Sequence, residues 1–298
     1  MEIIKPGIYE GERALYDIHN CLICDSIFQN GESPLKECSS LEIRNVEFRW
    51  KYPLWYDKDV KVYNSTFLET ARSGIWYTNN LEIRDCKIDA PKLFRRCRGV
   101  SIYNSNINFA QETFWKCEDV YLEKVYAKGD YFCFNCSNVE IKDFHLDGNY
   151  AFDGASNVKI SHAILNSKDS FWNCKNVEVR DSKIVGEYLA WNSENITFIN
   201  CEISSHQGLC YMKNIKLINC KLIDTDLCFE FCEDVDAEIT NVVHSIKNPY
   251  SGVIRCVGVG ELILDEKYIF FGGFAMEFNI DSGLQEYNIN GKHTVRFN

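Results

Sequence analysis

The stretch FWNCKNVEVRDSKI at residues 171–184 decides the fold, because close copies of it recur along most of the chain. In each copy, the first apolar residue after the position that Asn176 occupies here serves as an anchor. Successive anchors are 19 to 21 residues apart. The anchors are Cys21, Leu41, Val60, Leu81, Val100, Val120, Val139, Val158, Val177, Ile196, Ile215 and Val235. A period this regular is typical of a solenoid built from stacked units.

The residues within one repeat alternate as they do in a β-strand. Val177 is an anchor, Val179 is the next inward position, and Glu178 between them is polar. Asp181 takes a position where most repeats have Asn or Asp. These side chains tolerate the left-handed conformation and can bond to one another between adjacent turns. Cys174, three residues before the anchor, belongs to a ladder of small residues.

This pattern predicts an all-β, single-stranded parallel β-helix of about 12 or 13 turns. We expect one domain over residues 1–298, with an N-terminal cap at 1–20, repeats at 21–242, and the last turn and a C-terminal β cap at 243–298. Glycines between β-rich runs predict hairpins in that last segment: Gly258, Gly260, Gly272, Gly273 and Gly283. A leucine-rich repeat is the alternative, but its L-x-x-L-x-L consensus and helical half are missing.

Composition and charge narrow the classes of partner. The formal net charge of −11 disfavours nucleic acid and anionic membrane surfaces, and no apolar run reaches the length of a membrane span. The N-terminus has charges where a signal peptide would need an apolar core, which predicts a cytoplasmic protein. We therefore interpret the 15 cysteines as reduced thiols that mostly pack in the core.

No cofactor or metal site is predicted from the motifs. Two Cys-x-x-Cys pairs begin at Cys21 and Cys133. They lie several turns apart, whereas zinc ligands must converge on one ion. Residues three apart on a strand also point to opposite faces, so Cys21 should face the core and Cys24 the solvent.

The chain resembles the pectin-lyase-like parallel β-helix superfamily, and more closely an uncharacterised bacterial family within it, a domain of unknown function. The stretches that carry this resemblance are GERALY (11–16), GESPLK (31–36), KYPLWY (51–56), GIWYT (74–78), LDGNYAFDG (146–154), KDSFWN (168–173), GEYLAWNS (186–193) and QGLCY (207–211). The resemblance implies a right-handed coil. It transfers no catalytic residue, because the closer family has no reaction to carry over.

Pectin-lyase-like enzymes usually place their catalytic groups on the outward positions of the anchor strand. In this chain those positions alternate in charge, as at Glu82, Arg84, Glu178 and Arg180. They contain neither the aspartate cluster of a polygalacturonase nor the calcium-binding acids of a pectate lyase. We interpret them as a solvated ladder with opposite charges on adjacent turns.

A second face lies eight or nine residues before each anchor, where charged residues and tyrosines recur. Aromatic rings beside carboxylates and amides are typical of sugar-binding surfaces. The predicted catalytic residues are Asp130, Asp169 and Glu187, with Asp169 and Glu187 on neighbouring turns about 5 Å apart. The predicted ligand-binding residues are Tyr52, Arg72, Glu112, Tyr131, Asn149, Tyr150, Lys168, Trp172, Tyr188 and Trp191. Gln207 and Asp226 share this face.

The sequence thus favours a carbohydrate-active protein that binds or cleaves a neutral or amino-sugar polymer. If it is an enzyme, the expected activity is that of a glycoside hydrolase or a polysaccharide lyase. The alternative is a noncatalytic intracellular scaffold whose second face meets a protein partner. The substrate, the oligomeric state and the presence of any catalysis stay open at this point.

Overall fold

Short parallel strands recur at the spacing of the sequence repeat. The structure, a computed structural model, describes residues 1–263 and, beyond them, strand segments at 276–280, 285–288 and 295–296. The chain forms two units, Met1–Gly148 and Asn149–Asn298. We call them unit 1 and unit 2. Together they contain about 14 turns of a parallel β-solenoid.

Unit 1 contains 16 strands, and its one short 3₁₀ helix, Glu69–Ala71, is the only helix in residues 1–263. The strands are β1 (Glu2–Ile4), β2 (Ile8–Tyr9), β3 (Cys21–Cys24), β4 (Ile27–Phe28), β5 (Ser39–Arg44), β6 (Glu47–Phe48), β7 (Leu54–Trp55), β8 (Lys58–Tyr63), β9 (Thr66–Phe67), β10 (Ile75–Trp76), β11 (Asn79–Arg84), β12 (Lys87–Ile88), β13 (Phe94–Arg95), β14 (Arg98–Ile107), β15 (Glu118–Lys128) and β16 (Ser137–Asp147).

The anchors of unit 1 pair in the predicted register. Leu41 pairs with Val60, which pairs with Leu81 on the following turn, and all three strands are parallel. The first residues follow the same rule, because β1 pairs with β3 so that Glu2 faces Cys21. The segment predicted to form the N-terminal cap, residues 1–20, is therefore built as a turn of the solenoid.

Unit 2 has the same construction, with 13 strands among its described residues. They are β17 (Ser156–Asn166), β18 (Lys175–Arg180), β19 (Lys183–Glu187), β20 (Glu194–Ile199), β21 (Glu202–His206), β22 (Lys213–Leu222), β23 (Glu233–Ile239), β24 (Val242–Lys247), β25 (Gly252–Cys256), β26 (Gly258–Ile263), β27 (Met276–Ile280), β28 (Gln285–Asn288) and β29 (Val295–Arg296).

The register of unit 2 is regular up to β22, where the pairing with β23 shifts between Leu217 and Cys220. Val158, Val177 and Ile196 pair in sequence as predicted. The turn after Val235 is shorter, because Val235 pairs with Gly252. Beyond residue 263, β27 and β28 pair antiparallel. Of the glycines predicted to mark hairpins, Gly258 and Gly260 lie in β26, and the other three lie outside the described residues. The division into a single domain with caps stays a prediction.

Inward residues form stacked ladders in the core of each unit. In unit 1 the rings of Phe48 and Phe67 stack with centroids 4.7 Å apart, and in unit 2 those of Phe152 and Phe171 stack at 4.9 Å. The predicted ladder of small residues is buried throughout: Cys38, Cys97, Cys117, Cys136, Ala155, Cys174, Ser193 and Cys232. Every cysteine of the chain is buried except Cys24, which is half-buried as its outward position predicts.

Polar side chains at the bends form hydrogen-bonded ladders, also as predicted. Asn200 donates its Nδ2 to Asp181 Oδ1 at 2.8 Å, and Asn219 donates to Asn200 Oδ1 at 2.9 Å. Both Asp181 and Asn200 have a positive φ. In six pairs that join an aspartate to an asparagine, the aspartate stands on the earlier turn and accepts from the asparagine of the next. These pairs are Asp25 with Asn45, Asp59 with Asn80, Asp89 with Asn108, Asp119 with Asn138, Asp153 with Asn173, and Asp181 with Asn200.

The charges on the anchor strands pair between adjacent turns, as expected, and also along single strands. Between turns, Lys175 Nζ lies 3.5 Å from Glu194 Oε2. Arg84 Nε lies 2.7 Å from Glu82 Oε1, and Arg180 Nε lies 2.7 Å from Glu178 Oε1, so both ion pairs run along one strand. Between turns, Arg84 lies over the ring of Tyr103, 3.6 Å from its centroid. Side chains two residues apart on a strand share a face and can meet there. This surface satisfies its own charges, which supports its interpretation as a solvated ladder.

Candidate functional site

The second face is formed by tight bends in which left-handed residues alternate with extended ones. In one bend of unit 2, Asp169, Phe171 and Asn173 have φ values of 55°, 59° and 54°. Phe171 between them is fully buried, while Trp172 is half-buried. The left-handed conformation costs about 1–2 kcal/mol for a residue other than glycine. Backbone hydrogen bonds to the neighbouring turns hold these residues in it.

The register of the bends in unit 2 separates the predicted site residues into two columns. Column 1 contains Asn149, Lys168, Glu187 and His206, and column 2 contains Tyr150, Asp169, Tyr188 and Gln207. The N–H of Asp169 donates to the carbonyl of Glu187 at 2.8 Å, which places Asp169 opposite Tyr188. Asp169 and Glu187 therefore lie on neighbouring turns and are offset by one residue.

An ion pair connects two residues of column 1. Lys168 Nζ lies 2.7 Å from Glu187 Oε1 on the next turn, and both side chains are partly exposed. The N–H of Lys168 also donates to Asn149 Oδ1 at 3.2 Å. The hydrogen bond to Glu187 raises the pKa of Lys168, and the charge of Glu187 acts in the same direction. In column 1, Lys168 and Glu187 therefore neutralise each other's charge.

Asp169 in column 2 has a different environment. Partial burial raises the pKa of Asp169, the negative charge of Glu187 raises it further, and Lys168 partly offsets both effects. A carboxyl group shifted in this direction keeps its proton to higher pH and is suited to donate it.

Two polar contacts extend this face toward later turns. His206 Nδ1 lies 2.8 Å from Asp226 Oδ1 and 3.0 Å from its Oδ2. Gln207 donates its N–H to Asp226 Oδ1 at 3.0 Å and its Nε2 to Glu230 Oε2 at 2.9 Å. Glu230 is only 5% exposed and forms an ion pair of 2.8 Å with Lys247. The face is therefore backed by a buried polar network.

Sequence reasoning missed His206. The six histidines share no column with one another, so their spacing alone carried no signal. The available signal was the period, since His206 lies 19 residues after Glu187 and pairs with it across the sheet.

An aromatic ladder runs beside the two columns of unit 2: Trp172, Trp191, Tyr211, Phe231 and Tyr250. Trp191 and Tyr211 have ring centroids 4.6 Å apart at an interplanar angle of 33°. Tyr188 meets Trp191 edge-on at 6.0 Å, and Tyr150 meets Trp172 edge-on at 6.4 Å. These rings are tilted rather than stacked flat, and Tyr211 is 41% exposed.

Two indoles of this ladder differ in their hydrogen bonds. Trp172 donates its Nε1 to the carbonyl of Tyr188 on the next turn at 2.7 Å. The Trp191 Nε1 has no hydrogen-bond acceptor among the described residues. Trp172 therefore connects one bend to the next, whereas the indole N–H of the half-buried Trp191 is available as a hydrogen-bond donor.

In unit 1 the corresponding aromatics are stacked and bonded. Trp55 and Trp76 lie 5.1 Å apart at an interplanar angle of only 9°. The Arg95 guanidinium follows them, 5.1 Å from the Trp76 ring centroid and 4.5 Å from that of Trp115. It also bonds Glu112 at 2.7 Å, and Lys92 holds the other oxygen of Glu112 at 3.1 Å. The ring faces and the Glu112 carboxylate are therefore engaged within the protein.

The other predicted residues of unit 1 lie along the same bends without forming a common site. The Tyr52 ring packs against Trp55 at 4.6 Å, and Arg72 is exposed. Tyr131 is 37% exposed, and its carbonyl accepts the Trp115 indole N–H at 3.1 Å. Asp130 is half-buried, and its N–H donates to Gln111 Oε1 at 3.1 Å.

Two open grooves lie on other surfaces of unit 2. One, of about 530 Å³, lies along the bend that contains His162, Asp181 and Asn200, and another of about 330 Å³ lies along the anchor strands near Asn176. Neither contains a predicted site residue. In the part of the chain that the structure describes, no cluster of three or more His, Cys, Asp or Glu side chains is arranged to hold a metal ion. The same part contains no helix long and apolar enough to cross a membrane.

Comparison with known proteins gives several remote structural likenesses and one family match. A search of curated protein sequences returned no match. Similar solved structures include the surface adhesin PfbA of Streptococcus pneumoniae, with 11% identity over 92% of this chain and 75% of that chain and a TM-score of 0.33. The tailspike protein of E. coli bacteriophage HK620 has 9% identity over 93% and 74%, with a TM-score of 0.42. An exopolygalacturonase from Thermotoga maritima has 11% identity over 99% and 87%, with a TM-score of 0.27.

No ligand or reaction is transferred from these likenesses. The family model described as "Protein of unknown function (DUF3737)" matches residues 2–271, so the chain belongs to this family.

Proposed function

We propose that the protein is carbohydrate-active and that it binds or cleaves a neutral or amino-sugar polymer along columns 1 and 2 of unit 2. One observation carries this proposal. Consecutive turns present the carboxyl groups of Asp169 and Glu187, the amide of Gln207 and the free indole N–H of Trp191 on one surface. Carboxylates and amides bond sugar hydroxyls, and tilted aromatic rings provide apolar contact.

The repeat of the solenoid suits an extended polymer. Adjacent turns present equivalent positions about 4.8 Å apart, so a ligand lying along the axis meets the same two columns at each turn. The columns contain different residues on each turn, which would give each sugar unit a distinct set of contacts. A row of such subsites favours an oligosaccharide or polysaccharide over a single small molecule.

The charges favour a neutral or cationic sugar. Asp169, Glu187 and Asp226 are acidic, and Lys168 is the single lysine or arginine in the two columns. Lys168 is already paired with Glu187. An anionic polymer would meet net repulsion here, whereas the amino group of an amino sugar could pair with Asp169 or Asp226.

A glycan array combined with a turnover assay tests the proposal. The wild type should bind a defined set of neutral or amino-sugar oligosaccharides, and Asp169→Asn and Glu187→Gln should weaken binding or turnover. Asp130→Asn tests the predicted role of the corresponding acid in unit 1. Asp181→Asn, an acid on a different surface of unit 2, is the matched control. Absence of any glycan binding, or indifference of the site variants, would reject the proposal.

A noncatalytic scaffold is the second candidate, and unit 1 supports it. There the Trp55 and Trp76 ring faces are stacked on each other, and their indole N–H groups donate to the backbone of the next turn at 2.7 and 3.2 Å. Such aromatics stabilise a wall rather than a ligand pocket. On this view the protein acts in the cytoplasm and binds a protein partner.

Affinity capture tests this second candidate. A partner captured from lysate of the source organism by the wild type should be lost with variants of exposed residues on this wall, such as Arg72→Glu and Tyr131→Ala. Both variants should unfold at the wild-type denaturant midpoint, which excludes misfolding. A partner that is retained by both variants would contradict a role for this wall.

A further inference from the structure

We propose that His206, oriented by Asp226, is the proton acceptor of the unit 2 face, and that Asp169 is the proton donor in a glycoside hydrolysis that inverts the anomeric carbon. This inference rests on the proposed function and specifies its reaction.

The contact with Asp226 fixes the role of the imidazole. An ionised carboxylate only accepts hydrogen bonds, so His206 Nδ1, which lies 2.8 and 3.0 Å from the two Asp226 oxygens, carries the hydrogen. In the neutral ring the lone pair is then on Nε2. The Nε2 atom has no partner among the described residues, and the His206 side chain is 51% exposed. A histidine held in this way by a carboxylate is set to accept a proton.

Asp226 is itself fixed in place. Its Oδ1 also accepts the N–H of Gln207 at 3.0 Å, and its side chain is 30% exposed. The Gln207 side chain is held in turn by the buried Glu230 at 2.9 Å. The orientation of His206 therefore depends on a network that reaches into the protein, and Asp226 is a positioning residue.

Glu187, the nearest alternative acceptor, is already engaged. Its Oε1 bonds the Lys168 ammonium at 2.7 Å, and it would have to give up part of this bond to take a proton. His206 pairs with Glu187 across the sheet and so lies on the same surface without this restraint. The two residues are close enough for a sugar bound at Glu187 to reach the imidazole.

The spacing of donor and acceptor favours inversion. Asp169 lies opposite Tyr188, and Tyr188 lies opposite Gln207, the neighbour of His206. Asp169 and His206 are thus two turns apart, about 10 Å between backbones. This separation is slightly above the ~6.5–9.5 Å of inverting glycosidases and about twice the ~5–5.5 Å of retaining ones, so it leaves room for a water molecule beside the sugar. Tyr188 and Trp191 occupy the turn between them.

The step balances without a further reactant. His206 Nε2 takes one proton from a water molecule as its oxygen bonds to the anomeric carbon. The bond from that carbon to the leaving oxygen breaks with its electron pair, and the leaving oxygen takes the Asp169 proton. The products are two free hydroxyl ends, a protonated His206 and an ionised Asp169, and solvent returns the proton from one to the other.

Nitrogen-detected NMR tests the orientation of His206 without any substrate. In the neutral wild-type ring we expect the hydrogen on Nδ1 and an unprotonated Nε2. Asp226→Asn should increase the population with hydrogen on Nε2, because the asparagine can donate as well as accept. His162 is an exposed histidine without a carboxylate partner in the described residues and serves as the internal reference. A wild-type His206 with hydrogen on Nε2 would overturn the assignment.

Hydrolysis of cellohexaose and chitohexaose, followed by proton NMR of the first product anomer, tests the reaction. We expect inversion, loss of at least about 100-fold in kcat for His206→Gln with little change in binding, and wild-type rates for His162→Gln. If His206→Gln cleaves the substrate as fast as the wild type, the role of His206 is rejected and the proposed function remains. If the wild type binds the oligosaccharides without cleaving them, the role of His206 is likewise rejected and the proposed function remains. If the wild type binds neither oligosaccharide and no glycan of the array, both the role of His206 and the proposed function are rejected.

Discussion

Asp57 accepts a hydrogen bond of 2.7 Å from the backbone N–H of Cys38 on the preceding turn of unit 1, inside the core. The Asp57 side chain is 1% exposed, and its second oxygen has no partner among the described residues. Thr78 holds the corresponding place one turn later and uses a neutral hydroxyl for the same purpose. Burial at this position favours the protonated form of the carboxyl group.

Asp57 should make the stability of the protein fall as pH rises. Burial raises the pKa of Asp57 to about 8 in the folded state, against ~3.9 in an unfolded chain. Between these values only the folded state holds the proton, so this carboxyl reduces the free energy of unfolding by up to ~1.4 kcal/mol per pH unit. The loss should be complete above about pH 8.

Denaturant unfolding of Asp57→Asn between pH 5 and pH 9 checks this, because the asparagine keeps the acceptor for Cys38 and has no proton to lose. We expect Asp57→Asn to gain stability over the wild type as pH rises. The exposed Asp59, which accepts from Asn80 Nδ2 at 2.8 Å, provides the control Asp59→Asn. Equal pH dependence of Asp57→Asn and the wild type would show that the Asp57 carboxyl is not buried with its proton.

The order of residues in the polar ladders predicts unequal effects of two similar substitutions in unit 2. Asn200→Asp removes the donor of the 2.8 Å bond to Asp181 and sets two carboxylates together, which should cost about 1–2 kcal/mol of unfolding free energy at pH 7. Asp181→Asn keeps an acceptor for Asn200 and should change stability by less than about 0.5 kcal/mol. Urea denaturation measures both, and the cost of Asn200→Asp should shrink near pH 3, where a protonated carboxyl can donate again. Equal costs for the two variants would contradict the ladder's direction.

Substitutions of Trp172 and Trp191 in unit 2 should have different effects, the first mainly on stability and the second mainly on ligand binding. Trp172→Phe loses the 2.7 Å bond to the Tyr188 carbonyl and should cost about 1 kcal/mol more stability than Trp191→Phe. Trp191→Phe should instead weaken glycan binding, because it removes the unbonded donor. Thermal unfolding and titration calorimetry measure the two effects. A reversed order in the stability of the variants would assign the structural role to Trp191.

The pKa of Asp169 should respond in opposite directions to its two charged neighbours. Glu187→Gln removes a negative charge and should lower the pKa of Asp169, while Lys168→Met removes a positive charge and should raise it. Burial remains in both variants and should keep the pKa above its usual value. Carbon-detected NMR titration of the Asp169 carboxyl checks the directions. Shifts of the same sign in both variants would place Asp169 away from this ion pair.

The period of the sequence was sufficient to predict the fold. Alternating residues such as Val177 and Val179, with asparagines at fixed offsets, specify strand register directly, so the pairing of Val177 with Ile196 could be predicted. The resemblance to a β-helix family of unknown function is also confirmed. The left-handed bends were harder to place, because residues such as Tyr188 and Phe171 have little intrinsic preference for positive φ and adopt it through contacts with neighbouring turns.

The side-chain partners at the candidate site could be predicted only in part. The period placed Asp169 and Glu187 on neighbouring turns, but the contact between His206 and Asp226 depends on side-chain orientation that no spacing encodes. Charge alternation along the anchor strands was visible in the sequence. The sequence did not show whether Arg84 would pair with Glu82 on its own strand or with an acid on the next turn.

The hydrogen bonds in the ladders of asparagine and aspartate follow the order in which the chain is synthesised. In the ladder pairs described above, the side-chain amide of the later turn donates to an oxygen on the earlier one, as Asn45 does to Asp25 and Asn219 does to Asn200. A ribosome releases the earlier turn first. Each asparagine of these pairs therefore emerges after its acceptor has been synthesised, and its side-chain bond can form as soon as its own turn folds.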